Sequence, residues 1–223
     1  MLADKNLKGF ILLEMAIVYF IELILVMFSP SIIRLGNSAA AQMFLMVAVC
    51  VGMTGAACVT FFAGRWKDTD LGFSRKKMGK QLLIGLAIAG ATVGVGTALS
   101  LLSEGGKNDL LRYRSLSWPV LLFYLFFAFW CVGFGEEIVF RGYFYSRAKN
   151  VFSAAWLPML LSAVLFGLLR YPATLSMASV VSGGAAGLLY GGCRWKIKDC
   201  SLLSVGLAHG LHEAALVLLA AWL

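Results

Sequence analysis

Apolar stretches long enough to cross a hydrocarbon core follow one another along almost the whole chain, and they leave few folds open. A spanning helix needs about 20 predominantly apolar residues. Such stretches fall at roughly 8–28, 39–63, 81–103, 118–140, 153–171, 174–193 and 200–222. Lipid offers the backbone no hydrogen bonds, so segments of this kind cross as helices. The chain is therefore expected to be an all-α polytopic bundle of about seven spans. The composition agrees: 61% of the residues are hydrophobic and only 13% are charged, a balance that a soluble domain of this size cannot place on its surface.

The first stretch has Lys5 and Lys8 before it and the small residues of "AAAQ" after it, which resembles a signal peptide. Its apolar run is too long for one and contains Glu14 and Glu22, so it reads as a retained helix. The five cysteines lie mostly inside the apolar segments, which argues against a disulfide framework. Cys193 and Cys200 flank a basic loop, and two lone thiols make a poor metal site.

The formal charge of +8 is better explained by topology than by nucleic acid. With the N-terminus cytoplasmic, Lys5, Lys8, Arg65, Lys67, Arg75, Lys76, Lys77, Lys80, Arg141, Arg147, Lys149, Arg194, Lys196 and Lys198 fall inside. Arg34, Lys107, Arg112, Arg114 and Arg170 fall outside, about 14 against 5. A cytoplasmic surface of this sign also suits anionic lipid. The connections 64–80 and 103–117 are too short to hold a soluble domain. One integral membrane domain is expected, with N-terminal helices over 1–117 and core helices over 118–223. Gly183, Gly187 and Gly191 recur every four residues and suit close helix packing, and Gly90 and Gly94 repeat the pattern more weakly.

Ionisable residues inside a span are functional candidates by default. They are Glu14, Glu22, Glu136, Glu137, Arg141, Arg170, His209, His212 and Glu213. Glu137 and Arg141 are four apart with the acid first, the favourable order for an ion pair on one helix face. Glu136 points about 100° away, free to serve a different partner, so that one glutamate can be structural and its neighbour reactive. A purely structural charge cluster fits the same spacing. His209 and Glu213 are also one turn apart, where a carboxylate can fix the tautomer of an imidazole. His212 is expected to face elsewhere. A metal site would draw on His209, His212 and a glutamate, but the spacing matches no specific ligand motif.

At "EEIVFRGYFY" the chain resembles the CPBP family, which includes CAAX prenyl endopeptidases and the Abi-type bacteriocin-processing or immunity proteins. Its EExxxR motif is matched by Glu136, Glu137 and Arg141. Its FxxxH motif is met by "FGLLR", where Phe166 is present and Arg170 replaces the histidine. Its late HxxxN or HxxxD is met by His209, with Glu213 at the final position. The glycine-rich span and the run 191–210 also look like the family, and the resemblance covers roughly 118–220.

The resemblance implies an intramembrane endopeptidase without a prosthetic cofactor. Glu136 would activate water, Glu137 and Arg141 would support it, and His209 would hold water or the oxyanion. The substrate would be a membrane protein or lipidated peptide. The short loops and lack of a targeting segment fit a bacterial plasma membrane, and nucleic acid is not an expected partner. Arg170 and Glu213 depart with opposite signs. An ion pair between them would cancel the change in charge, and a double-mutant cycle without coupling would exclude it. For Arg170 to reach the site, the fifth helix should begin late, near Pro158. Glu14 and Glu22, outside the motifs, either line a water-filled entry or hydrogen-bond across helices, and the second reading is preferred. The alternative function is a catalytically silent relative that binds and regulates a membrane partner. A transporter is disfavoured by the lack of a repeat.

Overall fold

A computed structural model describes residues 2–64, 70–102 and 116–222. Among these the chain forms seven helical runs and no strand: α1 Leu2–Arg34, α2 Ala39–Ala63, α3 Met78–Leu102, α4 Trp118–Val151, α5 Leu157–Thr174, α6 Met177–Lys196 and α7 Leu202–Trp222. All except α6 are both long and apolar enough to cross a membrane. The chain is an integral membrane protein. Arg65, Lys67, Lys107, Arg112 and Arg114, counted in the charge asymmetry, lie outside the described residues.

The helix ends follow local chemistry. Ser38 and Ser176 accept from the backbone N–H groups of Ala41 and Ser179, capping α2 and α6. Pro119 and Pro158 sit in the first turns of α4 and α5, where a missing N–H costs nothing. The fifth helix thus begins at Leu157, as the late start requires. It stops where Leu175 turns left-handed, at φ 52°.

The fourth helix differs most from expectation. It runs eleven residues past 140, and at 34 residues it spans about 50 Å, well beyond a hydrocarbon core of about 30 Å. Phe127–Gly135 and Ile138–Phe144 are wound as π-helix, leaving only Glu136 and Glu137 between them in α-helical form. Arg147, expected in a loop, lies inside this helix and is fully buried.

The chain divides into two compact units. The first comprises residues 1–73 and 138–198. Its core joins Ile11, Met15 and Val18 of α1, Ala57 and Phe61 of α2, Val139, Phe140, Tyr143 and Phe144 of α4, and Phe166 and Leu169 of α5. Arg147 is the polar hub. Its Nε donates to Glu14 at 2.7 Å and its Nη2 donates to the Thr60 and Phe61 carbonyls in the last turn of α2. A cation there meets the negative end of that helix. Tyr143 donates to the same Glu14 carboxylate at 3.1 Å. Glu14 therefore bonds across helices, and Glu22 is fully buried one turn beyond Val18. On α6, Gly183, Gly187 and Gly191 do admit α5: a Cβ at Gly187 would meet the Ala163 Cα at 2.8 Å. The chain between α2 and α3 is held down by Ser146, which donates to the Asp70 carbonyl, and by Arg194, which donates to the Leu71 carbonyl. Gly72, at φ 89°, leaves room for the Arg194 guanidinium where a Cβ would project.

The second unit comprises residues 74–137 and 199–223. Here α3 and α7 run parallel. At one end Ser201 Oγ donates to the Gln81 side-chain carbonyl and Ser204 Oγ donates to its backbone carbonyl; further along, His212 packs against Gly96. Lys77 and Lys80 close the first end by gripping Asp199 at 3.2 and 2.8 Å. Gly90 and Gly94 do not admit a neighbour, since a Cβ at either would meet nothing within 4 Å among the described residues. The close-approach glycines of α3 are Gly85 and Gly96, which shared no four-residue spacing with them.

Candidate functional site

The polar centre of the second unit forms where α4 and α7 approach almost backbone to backbone. A Cβ at Gly133 would lie 2.2 Å from the Gly210 Cα, and one at Gly210 would lie 2.7 Å from the Phe129 carbonyl oxygen. Glu137 follows Gly133 by one turn and His209 precedes Gly210 directly. The absence of side chains at those two glycines therefore lets the carboxylate and the imidazole meet.

Three carboxylates surround the His209 ring. Glu137 Oε1 lies 2.9 Å from Nδ1, a distance at which an ionised carboxylate requires Nδ1 to carry the proton and donate it. On the other side of the ring, Nε2 faces Glu213 Oε1 at 3.5 Å and Glu136 Oε2 at 3.9 Å. Burial is graded across the cluster: the side chains of Glu137 and His209 are 0% and 3% exposed, those of Glu136 and Glu213 are 19% and 29%. The inner half is thus a fixed hydrogen-bonded pair and the outer half is reachable. Spacing on an α-helix suggested that the adjacent glutamates serve different partners. They instead address opposite nitrogens of one ring, from the two residues bracketed by π-helix. Such local widening often re-aims side chains at functional sites.

His212 turns toward α3. Its ring sits against Gly96, where a Cβ would come within 2.3 Å of Cε1. Among the described residues no group of three His, Cys, Asp or Glu side chains is arranged to hold a metal ion.

The two arginines of the sequence pattern belong to the first unit, where both lie against one aromatic ring. The Arg141 guanidinium carbon lies 4.5 Å from the centroid of Phe166 and that of Arg170 lies 4.8 Å from it. Tyr190 adds a second ring at 5.9 Å from Arg141. Phe166 is buried and Arg141 fully so. A ring face offers a cation partial negative charge where water is scarce. Sequence reasoning named both arginines and Phe166 but not their common stacking. The signal was present in the four-residue spacing of Phe166 and Arg170, which puts them on one helix face.

Fold and site together define a polytopic helical membrane protein with a glutamate–histidine centre. Residues 117–215 match the family model described as Type II CAAX prenyl endopeptidase Rce1-like. Over those residues, a little under half of the chain, it is similar to that family, which falls within the CPBP group. Comparison with the curated proteins and with the solved structures finds no match.

Proposed function

We propose that this CAAX-protease-like membrane protein is an intramembrane endopeptidase of the glutamate type. The reading rests on the His209 arrangement: one nitrogen is fixed by buried Glu137, and the other is turned to the partly exposed Glu136 and Glu213. In this reading Glu136 removes a proton from a water molecule. The water oxygen bonds to the scissile carbonyl carbon and the carbonyl electron pair moves to oxygen. His209, its Nδ1–H held by Glu137, accepts a hydrogen bond from that water at Nε2, and once Nε2 is protonated it donates to the developing oxyanion. When the tetrahedral intermediate collapses, the C–N bond breaks and the amine leaves with the proton that Glu136 took up. Water and peptide bond are consumed, and a carboxyl and an amino terminus form. Neither a metal nor a prosthetic cofactor enters these steps.

Arg141 and Arg170 supply positive charge in this proposal. Arg170 replaces a neutral imidazole and Glu213 replaces a neutral or shorter side chain, so the two departures oppose each other in charge. The catalytic core is assigned to 118–223, which the family match supports, with 1–117 as supporting helices. The substrate is a membrane protein or lipidated peptide, and the setting is a bacterial plasma membrane with a cytoplasmic N-terminus.

The test compares peptide termini in host membranes carrying wild type or Glu136→Gln at matched protein levels. The expected result is a terminus in or beside a membrane span that disappears with the substitution. Identical termini, with the wild-type phenotype retained by Glu136→Gln, would overturn the proteolytic reading and leave a silent protein that regulates a membrane partner.

A further inference from the structure

Lys149 of α4 and Arg194 of α6 meet at one aromatic ring in the first unit, and Lys196 and Lys198 follow Arg194 closely along the chain. The Lys149 ammonium lies 5.9 Å from the Tyr145 ring centroid and the Arg194 guanidinium lies 4.8 Å from it. Lys196 sits 3.8 Å over the ring of Trp195, and Lys198 follows two residues later. Lys149, Lys196 and Lys198 are exposed.

Structural duties account for only part of this charge. The ends of α2, α4 and α6 each present the equivalent of about half a negative charge, and Asp70 adds a carboxylate. Asp70 accepts from the Gly72 N–H, and the end of α2 is already served by Arg147. Arg194 is fixed by the Leu71 carbonyl and the Tyr145 ring. The three lysines remain a positive surplus held at the mouth of two helices.

We infer that the Tyr145–Lys149–Arg194–Lys196 cluster is a binding site for the phosphate headgroup of an anionic phospholipid. Three features favour a lipid over an acidic peptide. The cations stand at the ends of long helices, where headgroups lie. The partly exposed Trp195 ring suits that level of a bilayer, with its apolar body toward the acyl chains and its polar edge toward water, while buried Tyr145 backs the cations. An ordered guanidinium flanked by exposed ammonium groups suits one phosphate better than an extended chain. The inference does not depend on the proteolytic reading.

The experiment uses the full chain in phosphatidylcholine nanodiscs, with phosphatidylglycerol titrated in and retained lipid counted by native mass spectrometry. Each lysine near anionic lipid contributes enough for about a fivefold change in affinity, so Lys149→Gln combined with Lys196→Gln should weaken retention roughly 30-fold. Arg75→Gln combined with Lys76→Gln, which removes the same charge from the chain before α3, should change it less than about threefold. Single lysine variants, each roughly fivefold weaker, supply the answer if the double variant fails to fold. Equal losses in the two double variants would reduce the effect to diffuse attraction and overturn the site. So would full retention in the lysine variants, or saturable binding of a poly-glutamate peptide at these lysines in place of phosphatidylglycerol.

Discussion

Gly133→Ala tests how the site is assembled. The new Cβ would sit 2.2 Å from the Gly210 Cα, 2.4 Å from its nitrogen and 3.0 Å from the His209 carbonyl carbon. All three are backbone atoms of α7, so no side-chain rotation relieves the clash. Restoring an ordinary contact of 3.4 Å moves the helices apart by about 1.2 Å. That shift would stretch the Glu137–His209 bond from 2.9 Å to about 4 Å, beyond hydrogen-bond range. Overpacking of this kind costs about 1–3 kcal/mol, and a catalytic group misplaced by about 1 Å loses about 100-fold in rate. Thermal unfolding in detergent measures the first effect and, on the proteolytic proposal, the yield of a Glu136-dependent terminus measures the second. Gly90→Ala is the control, since it meets nothing within 4 Å among the described residues and should leave both readouts unchanged or gain slightly in stability. A Gly133→Ala protein as stable and active as wild type would refute the backbone-contact argument.

Two further outcomes follow from the buried and surface charges. Arg147→Met removes the cation shared by Glu14 and the end of α2. It should destabilise the protein by about 3–5 kcal/mol by stranding Glu14, and adding Glu14→Gln should recover part of the loss; a thermal midpoint within a degree or two of wild type would contradict the hub role. Lys80, and secondarily Lys77, hold the Asp199 carboxyl below the usual carboxylate range. A depressed native pKa stabilises above the unfolded value of about 3.9, and that stability fades as pH falls through the native pKa. Asp199→Asn should therefore flatten part of the acid limb of the stability profile in pH-stepped unfolding. An identical limb would show that the clamp contributes nothing.

Much of the fold could be read because lipid narrows the choices: once a stretch is apolar for 20 residues, helix is the remaining option. The ends were nearly as legible where Pro119, Pro158 or a capping serine marks them. Helix α4 was misjudged because Arg141 and Arg147 look like the edge of a span, whereas burial against Phe166 and pairing with Glu14 keep the helix going. His209, Glu136, Glu137 and Glu213 were legible as a candidate set, but their division between two ring nitrogens was not, since an α-helical wheel does not anticipate π-winding. The glycines of α3 show a related limit. Spacing says which glycines share a face, as with Gly90 and Gly94, but not whether another helix lies against it. The partner of Gly96 is His212, more than a hundred residues away in sequence.

The paired π-segments in α4 bear on how such a helix tolerates changes in length. In an ordinary α-helix, removing one residue rotates everything after it by about 100° and turns buried groups outward. A π-segment holds, in effect, one residue more than an α-helix needs to cover the same rise. A deletion within 138–144 can relax that stretch to α-helix and keep its hydrogen-bond ladder continuous, and a deletion within 127–135 can do the same before the glutamates. A deletion on either side of Glu136 and Glu137 can therefore be absorbed while the two carboxylates keep their turn.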